Sequence, residues 1–263
     1  MRPGLPRLAL QAARETRDRP LRWRGVTTPS PGLRAAGAGA PGRPAVVLVH
    51  GVIVSSRYLV PLAAELGRDR PVLVPDLPGA GLAARPDGPP TMAALADAVV
   101  ATATAAGHER VALVGNSFGA QVAVEAAARH PDRVERLVLV GPTVDPAARS
   151  LARQAVRWAR NAPDEHPAFL PVLVRDLADV GLPRAAGLVR LMLEHRIEDR
   201  LGAVRAPALV VRGGRDRLVP PPWAQEIARR LPDGRLLTLP GFAHMPHWSG
   251  TLALVPHLRA FLG

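Results

Sequence analysis

Ser117 lies at the centre of a Gly-x-Ser-x-Gly pattern that could carry out nucleophilic chemistry. The pattern begins at Gly115 and ends at Gly119. An apolar run precedes it and an alanine-rich run follows it, which predicts a strand, a sharp turn and a helix. The two glycines would let strand and helix approach closely and hold Ser117 in a strained backbone conformation. Such a turn points the serine hydroxyl at a substrate.

A serine hydroxyl is a weak nucleophile near neutral pH, so it needs a base and a carboxylate that orients the base. Among the eight histidines, His244 lies in a late loop between a predicted strand and a predicted helix. Asp216 follows the preceding predicted strand. Both residues therefore fall, like Ser117, at the carboxyl ends of predicted parallel strands, where open α/β sheets bind ligands.

The elements that must position these residues alternate along the chain. Predicted strands cover residues 45–49, 71–75, 110–114, 134–140, 207–211 and 236–239. Helical patterns cover residues 58–66, 91–106, 117–129, 222–231 and 252–262. Continuous β-branched runs are typical of parallel strands that are buried on both faces. The alternation predicts an α/β fold with a mostly parallel central sheet flanked by helices.

The segment after the strand at residues 134–140 has a different pattern, because strand-like runs give way to helical ones. We therefore expect a helical insertion at this point. Near the N-terminus, a short strand is predicted at residues 21–27, and a loop is predicted over the Pro- and Gly-rich residues 29–44. The predicted division is an N-terminal extension and loop at 1–44, a core at 45–141 and 205–263, and the helical insertion at 142–204.

Two further motifs strengthen this pattern. His50-Gly51 follows the first of the buried strands, and Pro75-Asp76-Leu77-Pro78-Gly79 follows the second. Together with the order serine, aspartate and histidine along the chain, they resemble the α/β-hydrolase family. The resemblance extends from about residue 45 to the C-terminus, and it implies that the helical insertion is the cap of that family.

The resemblance also implies a role for each residue of the site. Ser117 would be the nucleophile of a serine hydrolase, His244 the general base and then the general acid, and Asp216 the orienting acid. The backbone N–H groups of Val52 and Phe118 would form the oxyanion hole, with Phe118 at the positive end of a helix dipole.

Several other polar residues have competing interpretations. Asp145 is the alternative acid, as in some relatives, and Asp216 would then stabilise a turn. His50 and Asp76 are expected to stabilise loops. Surface or cap positions are expected for His166, His195 and His247. No pair or trio of His, Asp or Glu has the spacing of metal ligands, so we expect neither a metal nor another cofactor.

An apolar pocket is predicted from side chains of the insertion and of the loops near Ser117. The predicted lining residues are Ile53, Tyr58, Trp158, Phe169, Met192 and Met245. For the residues of the insertion, the alternative is that they only hold the cap together. Such a pocket favours a medium-sized, largely apolar small-molecule substrate. An ester, thioester or lactone, cleaved through an acyl-enzyme, is the preferred reaction.

Two alternative functions use the same frame. With Asn116 before the serine, the sequence of the turn is similar to that of C–C bond hydrolases, so C–C cleavage is one alternative. Acyltransferase, lyase or cyclase chemistry in a biosynthetic pathway, with the same three residues, is also open. A non-catalytic ligand receptor on a hydrolase frame is the other alternative. Activity on 4-nitrophenyl esters or on a ring-cleavage diketone would distinguish the two hydrolytic reactions.

Composition excludes several classes of partner. The chain of 263 residues has a net charge of +12, yet all 34 basic residues are Arg, and aromatic residues make up only 3%. This bias suggests a GC-rich coding sequence, and stacking platforms for bases are scarce, so no nucleic-acid partner is expected. No run approaches the ~20 apolar residues of a membrane span. Without a signal-peptide pattern, a cytoplasmic location is expected, whereas the oligomeric state is not predicted.

Overall fold

The computed structural model describes residues 26–30, 32–37 and 43–263. Its strands are β1 (Val26–Ser30), β2 (Leu33–Ala36), β3 (Ala45–Val49), β4 (Val72–Pro75), β5 (Val111–Asn116), β6 (Val134–Val140), β7 (Ala208–Gly213) and β8 (Gly234–Leu239). They form one sheet in the order β1-β2-β4-β3-β5-β6-β7-β8. The pairs β1–β2 and β2–β4 are antiparallel, and every pair from β4 to β8 is parallel. The predicted α/β fold with a mostly parallel sheet is confirmed.

Helices cover both faces of the sheet. They are α1 (Val60–Leu66), α2 (Met92–Ala105), α3 (Phe118–Arg129), α4 (Leu151–Asn161), α5 (Leu170–Val180), α6 (Leu182–Glu194), α7 (Pro221–Arg230), α8 (Pro246–Ser249) and α9 (Thr251–Leu262). The Thr91 side chain caps α2 by accepting a hydrogen bond from the N–H of Ala94 (3.2 Å). Across the described ranges, no helix has the length and apolarity needed to cross a bilayer.

The core has two apolar layers, one on each face of the sheet. Along β3, Val47 and Val49 pack with residues of α2 and α3. Val46 and Leu48 point to the other face and pack with residues of α1 and α9. The central strands are therefore buried on both faces, and only their ends are left to carry polar chemistry.

The expected loop at residues 29–44 is wrong over part of its length. Residues Leu33–Ala36 form β2, which pairs with β4 from Leu33 opposite Pro75 to Ala36 opposite Val72. β2 is stabilised by its pairing with β1 and β4, so the local Ala- and Gly-rich composition does not reveal it. β1 occupies residues 26–30, and most of the strand predicted at 21–27 lies outside the described residues.

The segment between β6 and β7 contains α4, α5 and α6, together with short 3₁₀ turns. All its residues are described, and none of them forms a strand. Its helices carry side chains to the carboxyl end of the sheet. The division of the chain into a core and a cap stays a prediction.

The close approach of α3 to the sheet predicts opposite effects for two Gly→Ala substitutions within helices. A Cβ atom at Gly119 would overlap the backbone of Val49, whereas a Cβ atom at Gly187 meets nothing within 4 Å. We expect Gly119→Ala to lower the free energy of unfolding by about 1–3 kcal/mol. Gly187→Ala should raise it by about 0.5–1 kcal/mol, because alanine is the better helix former. Urea unfolding measures both, and equal effects would contradict the packing argument.

Candidate active site

Ser117 occupies a tight turn between the end of β5 and the start of α3. Its backbone has φ +56° and ψ −118°, a conformation that is costly for a residue with a side chain. A Cβ atom at Gly115 would overlap the backbone of Gly119, which is why both glycines are needed. The Ser117 N–H donates to the carbonyl of Val140 on β6 (2.9 Å), which anchors the turn to the next strand.

His244 and Asp216 form a buried pair beside this turn. Nδ1 of His244 lies 2.9 Å from Oδ2 of Asp216, and the other carboxylate oxygen accepts the N–H groups of Leu218 (2.8 Å) and Val219 (3.0 Å). Because the carboxylate is an acceptor, it fixes the proton on Nδ1 and leaves the lone pair on Nε2. Nε2 has no partner among the described residues, and His244 lines the same cavity as Ser117.

Asp145, the alternative acid, binds residues other than His244. Its Oδ2 pairs with Arg157 (2.6 Å), and its Oδ1 accepts the N–H of Ala147 (2.9 Å) at the start of a 3₁₀ turn. The described contacts of its carboxylate do not include His244. Of the two candidate acids, the structure brings Asp216 to the histidine.

A second carboxylate, Glu165, reaches the same histidine from the segment between β6 and β7. Its Oε1 accepts the backbone N–H of His244 (2.6 Å) and the side-chain amide of Asn161 (2.8 Å). Burial raises the pKa of Glu165 against the opposing charge of His244. No local pattern in the sequence reveals Glu165, because it lies 79 positions from His244 in the chain.

Burial, a hydrogen bond and two neighbouring charges decide the protonation of His244. Burial lowers its pKa, but the charge of Asp216, the hydrogen bond to Asp216 and the charge of Glu165 outweigh burial and leave the pKa raised. The protonated imidazole is therefore stabilised relative to its ordinary state in water.

A backbone N–H group can stabilise an oxyanion only if it binds no other acceptor. The N–H groups of Val52 and Phe118 meet this requirement. Neither donates a hydrogen bond to the protein within the described ranges. Phe118 is the first residue of α3, where backbone N–H groups have no partner inside the helix. Ile53, next to Val52, has φ +55°, so the loop that carries Val52 is also held in a strained conformation.

A chain of hydrogen bonds ties this loop to the serine turn. The N–H of Gly51 donates to the hydroxyl of Tyr58 (2.7 Å), and that hydroxyl donates to Oδ1 of Asn116 (2.8 Å). The amide nitrogen of Asn116 then donates to the carbonyl of Val140 (3.0 Å). Both strained segments are thus fixed relative to one another.

His50 and Asp76 stabilise loops, as predicted. Nε2 of His50 accepts the N–H of Leu77 (2.8 Å), and burial lowers the pKa of this imidazole and keeps it neutral. The carboxylate of Asp76 accepts the N–H groups of Ser56 (2.7 Å) and Leu82 (2.8 Å).

A buried ionic cluster lies behind the loop that carries Val52. The side chains of Arg57 and Asp176 are both 0% exposed and form an ion pair, and Asp179 pairs with the same guanidinium (2.7 Å). Ser55 donates its N–H (2.7 Å) and its hydroxyl (2.9 Å) to Asp176. Burial raises the pKa of Asp176 to about 6, although Arg57 opposes the shift. The cluster joins the loop to α5.

The expectation that His247 lies on the surface or in the cap is wrong. It is fully buried, and its ring meets the ring of Tyr58 edge-on at a centroid distance of 4.7 Å. Helix α8 turns it inward, and burial together with the charge of His244 lowers its pKa to about 3. His166 and His195 lie in the segment between β6 and β7.

A cavity of about 320 Å³ connects these groups. All six residues predicted to line a pocket lie on it, and their contact with substrate stays a prediction. The cavity is also lined by Gly51, Val52, Val54, Asn116, Ser117, Thr143, Leu151, Gln154, Ala155, Leu173, Val189, Leu218 and His244. No Arg, Asp or Glu is among these residues. In the part of the chain that the structure describes, no cluster of three or more His, Asp or Glu residues could hold a metal.

Comparison with known proteins agrees with this geometry. Residues 46–255 match the model of a family described as the Alpha/beta hydrolase family. The chain belongs to the α/β-hydrolase family. It is therefore a hydrolase, with an eight-stranded sheet in the described residues.

Relatives of this α/β hydrolase include enzymes with several substrates. It is 30% identical over 245 residues to a pimeloyl-[acyl-carrier protein] methyl ester esterase of Neisseria meningitidis, covering 82% of this chain and 92% of that protein. A 2-hydroxymuconate semialdehyde hydrolase of a Pseudomonas strain is 37% identical over 116 residues, which cover 41% of this chain and 38% of that protein. The structure of a hydrolase from Pseudomonas aeruginosa superposes with a TM-score of 0.72 and 26% identity, covering 90% of this chain and 96% of that one.

The charges around His244 predict how it titrates in this hydrolase. By NMR, we expect its imidazole to have a pKa above the ordinary value of about 6.5. Glu165→Gln should lower that pKa, because it removes a negative charge but keeps an acceptor for the His244 N–H. Glu194→Gln, at a carboxylate exposed on α6, is the matched control and should change nothing. An unchanged pKa in Glu165→Gln would show that Glu165 only holds the backbone.

Proposed function

We propose that this α/β hydrolase cleaves an ester, thioester or lactone through an acyl-enzyme at Ser117. One observation carries the proposal. Nε2 of His244 is buried without a partner among the described residues, His244 and Ser117 line one cavity, and Asp216 holds the other ring nitrogen. A buried imidazole nitrogen of this kind is suited to accept the proton of a nucleophile.

The proposed reaction has two halves. In the first, Oγ of Ser117 attacks the substrate carbonyl and His244 takes the hydroxyl proton, while Asp216 stabilises the imidazolium. The N–H groups of Val52 and Phe118 stabilise the oxyanion. The C–O or C–S bond breaks as His244 returns the proton to the leaving group. In the second half, His244 deprotonates a water, which attacks the acyl-enzyme. As the acyl C–O bond breaks and the acid leaves, His244 returns the proton to Oγ of Ser117.

The cavity supports an uncharged, largely apolar substrate. Its lining is dominated by aliphatic and aromatic side chains and contains no Arg that could pair with an anion. Its volume of about 320 Å³ suits a medium-sized ligand. The similarity to a methyl ester esterase supports ester cleavage. We further propose that residues 142–204 act as the cap that closes this cavity, because α4, α5 and α6 supply several of its lining residues.

C–C bond hydrolysis is the second candidate, and similarity to a semialdehyde hydrolase over part of the chain supports it. Asn116 is the residue that links this site to C–C bond hydrolases. Both ends of its amide are occupied, by Tyr58 and by the carbonyl of Val140. These bonds hold the two loops together and give C–C cleavage no specific support, so the ester reaction is preferred on the similarity to the methyl ester esterase. A comparison of 4-nitrophenyl esters with a ring-cleavage diketone distinguishes the two.

Loss of the serine hydroxyl should abolish turnover. We expect Ser117→Ala to reduce kcat/KM for 4-nitrophenyl esters by about 10⁴- to 10⁶-fold, because it removes the hydroxyl that forms the acyl-enzyme. A fluorophosphonate should label the wild-type protein and leave Ser117→Ala unlabelled, as detected by mass spectrometry. Ser150→Ala, at an exposed serine that caps α4, is the matched control and should be labelled. Labelling of Ser117→Ala would overturn the assignment.

The two candidate acids can be separated by matched substitutions. Asp216→Asn should lower kcat by about 10⁴-fold, because it removes the carboxylate that fixes the His244 tautomer. Asp145→Asn should lower it less than about tenfold, since it weakens only a partly exposed ion pair with Arg157. Steady-state kinetics on one ester measures both variants. The reverse ranking would assign Asp145 as the acid.

A further inference from the structure

One polar side chain on the cavity has no role in the protein or in the proposed reaction. Thr143 is 1% exposed and lies on the same cavity as Ser117 and His244. Its hydroxyl has no hydrogen-bond partner within the described ranges. A buried hydroxyl without a partner destabilises the protein, so its presence at a binding cavity points to a ligand atom that completes it.

Other polar groups on the cavity are already engaged. The Tyr58 hydroxyl and the Asn116 amide bind one another and the backbone. The amide nitrogen of Gln154 donates to a backbone carbonyl (2.9 Å). Ser117 and His244 are the proposed reacting groups. The Thr143 hydroxyl is therefore left available to a substrate.

The path of the chain places this hydroxyl close to the reacting groups. Gly141 has φ +56°, and a Cβ atom there would lie 2.8 Å from Nδ1 of His244. Thr143 is two residues further along, which is at most about 7 Å of extended chain. The Cα atom of Thr143 is therefore within about 12 Å of the imidazole, and one medium-sized substrate in the shared cavity can reach both residues.

Building on the proposed hydrolase function, we propose that Thr143 is a specificity-determining residue whose hydroxyl hydrogen-bonds a second, uncharged oxygen of the substrate. A ketone, hydroxyl or ether oxygen fits, because a threonine hydroxyl can donate and accept. A carboxylate or phosphate does not fit, because the lining contains no cationic Arg. The substrate class is thus an ester with a second neutral oxygen near the scissile bond.

Two variants separate the hydroxyl from the shape of the side chain. Thr143→Val removes the hydroxyl and keeps the branched form, whereas Thr143→Ser keeps the hydroxyl. Two series of esters locate the second oxygen. One compares 4-nitrophenyl hexanoate with its 4-oxo and 5-oxo analogues, and the other compares butanoate esters of 1-butanol and of its 3-oxo analogue. The measured quantity is the ratio of kcat/KM for the oxo ester to that for the plain ester.

We expect at least one oxo ester to show a ratio about tenfold higher in the wild type and Thr143→Ser than in Thr143→Val, as for one hydrogen bond. Thermal unfolding should show no loss of Tm in Thr143→Val, because the substitution removes a buried hydroxyl that costs stability when it has no partner. Turnover with equal ratios in all three proteins would overturn this inference alone. Absence of both turnover and fluorophosphonate labelling in the wild type would overturn the proposed function, and this inference with it.

Discussion

Direct contact between backbones is the constraint on which the site depends. Where β5 turns into α3, the helix lies against the strand below it and against the end of β3, with no room for side chains at Gly115 or Gly119. The turn between them has a single non-glycine residue at positive φ, Ser117. Because the surrounding packing fixes this conformation, the position of the hydroxyl is set by the sheet and by no movable loop.

Parallel topology then brings the other groups to the same place. β3, β5, β6, β7 and β8 run in the same direction, so their carboxyl ends meet at one edge. The loops that leave this edge carry Val52, Ser117, Thr143, Asp216 and His244. No Asp, Glu or Arg lines the cavity, whereas the carboxylates of Asp216 and Glu165 bind the ring and the backbone N–H of His244. This arrangement stabilises a protonated histidine and keeps the substrate space apolar.

The sequence predicted the parts of the site that depend on local patterns. Ser117 was evident from its glycines and its place between strand and helix, and Asp216 and His244 from their positions after strands. Residues that matter through tertiary contact were not evident: Glu165 meets His244 across the fold, and β2 exists because β4 offers an edge. The burial of His247 was not evident either, because it depends on the packing of α8 against Tyr58. No sequence motif marks Thr143, and only its position on the cavity shows that its hydroxyl could meet a substrate.

The ion pair between Arg57 and Asp176 couples α5 to the loop that carries Val52. These two side chains, both without exposure, join the loop beside the serine turn to α5. Moving α5 away from the sheet would separate the two charges and break the hydrogen bonds that Ser55 donates to Asp176. The loop would lose these contacts at the same time as the helix. Rotamer changes of side chains need no such separation, and at exposed positions they occur in picoseconds to nanoseconds.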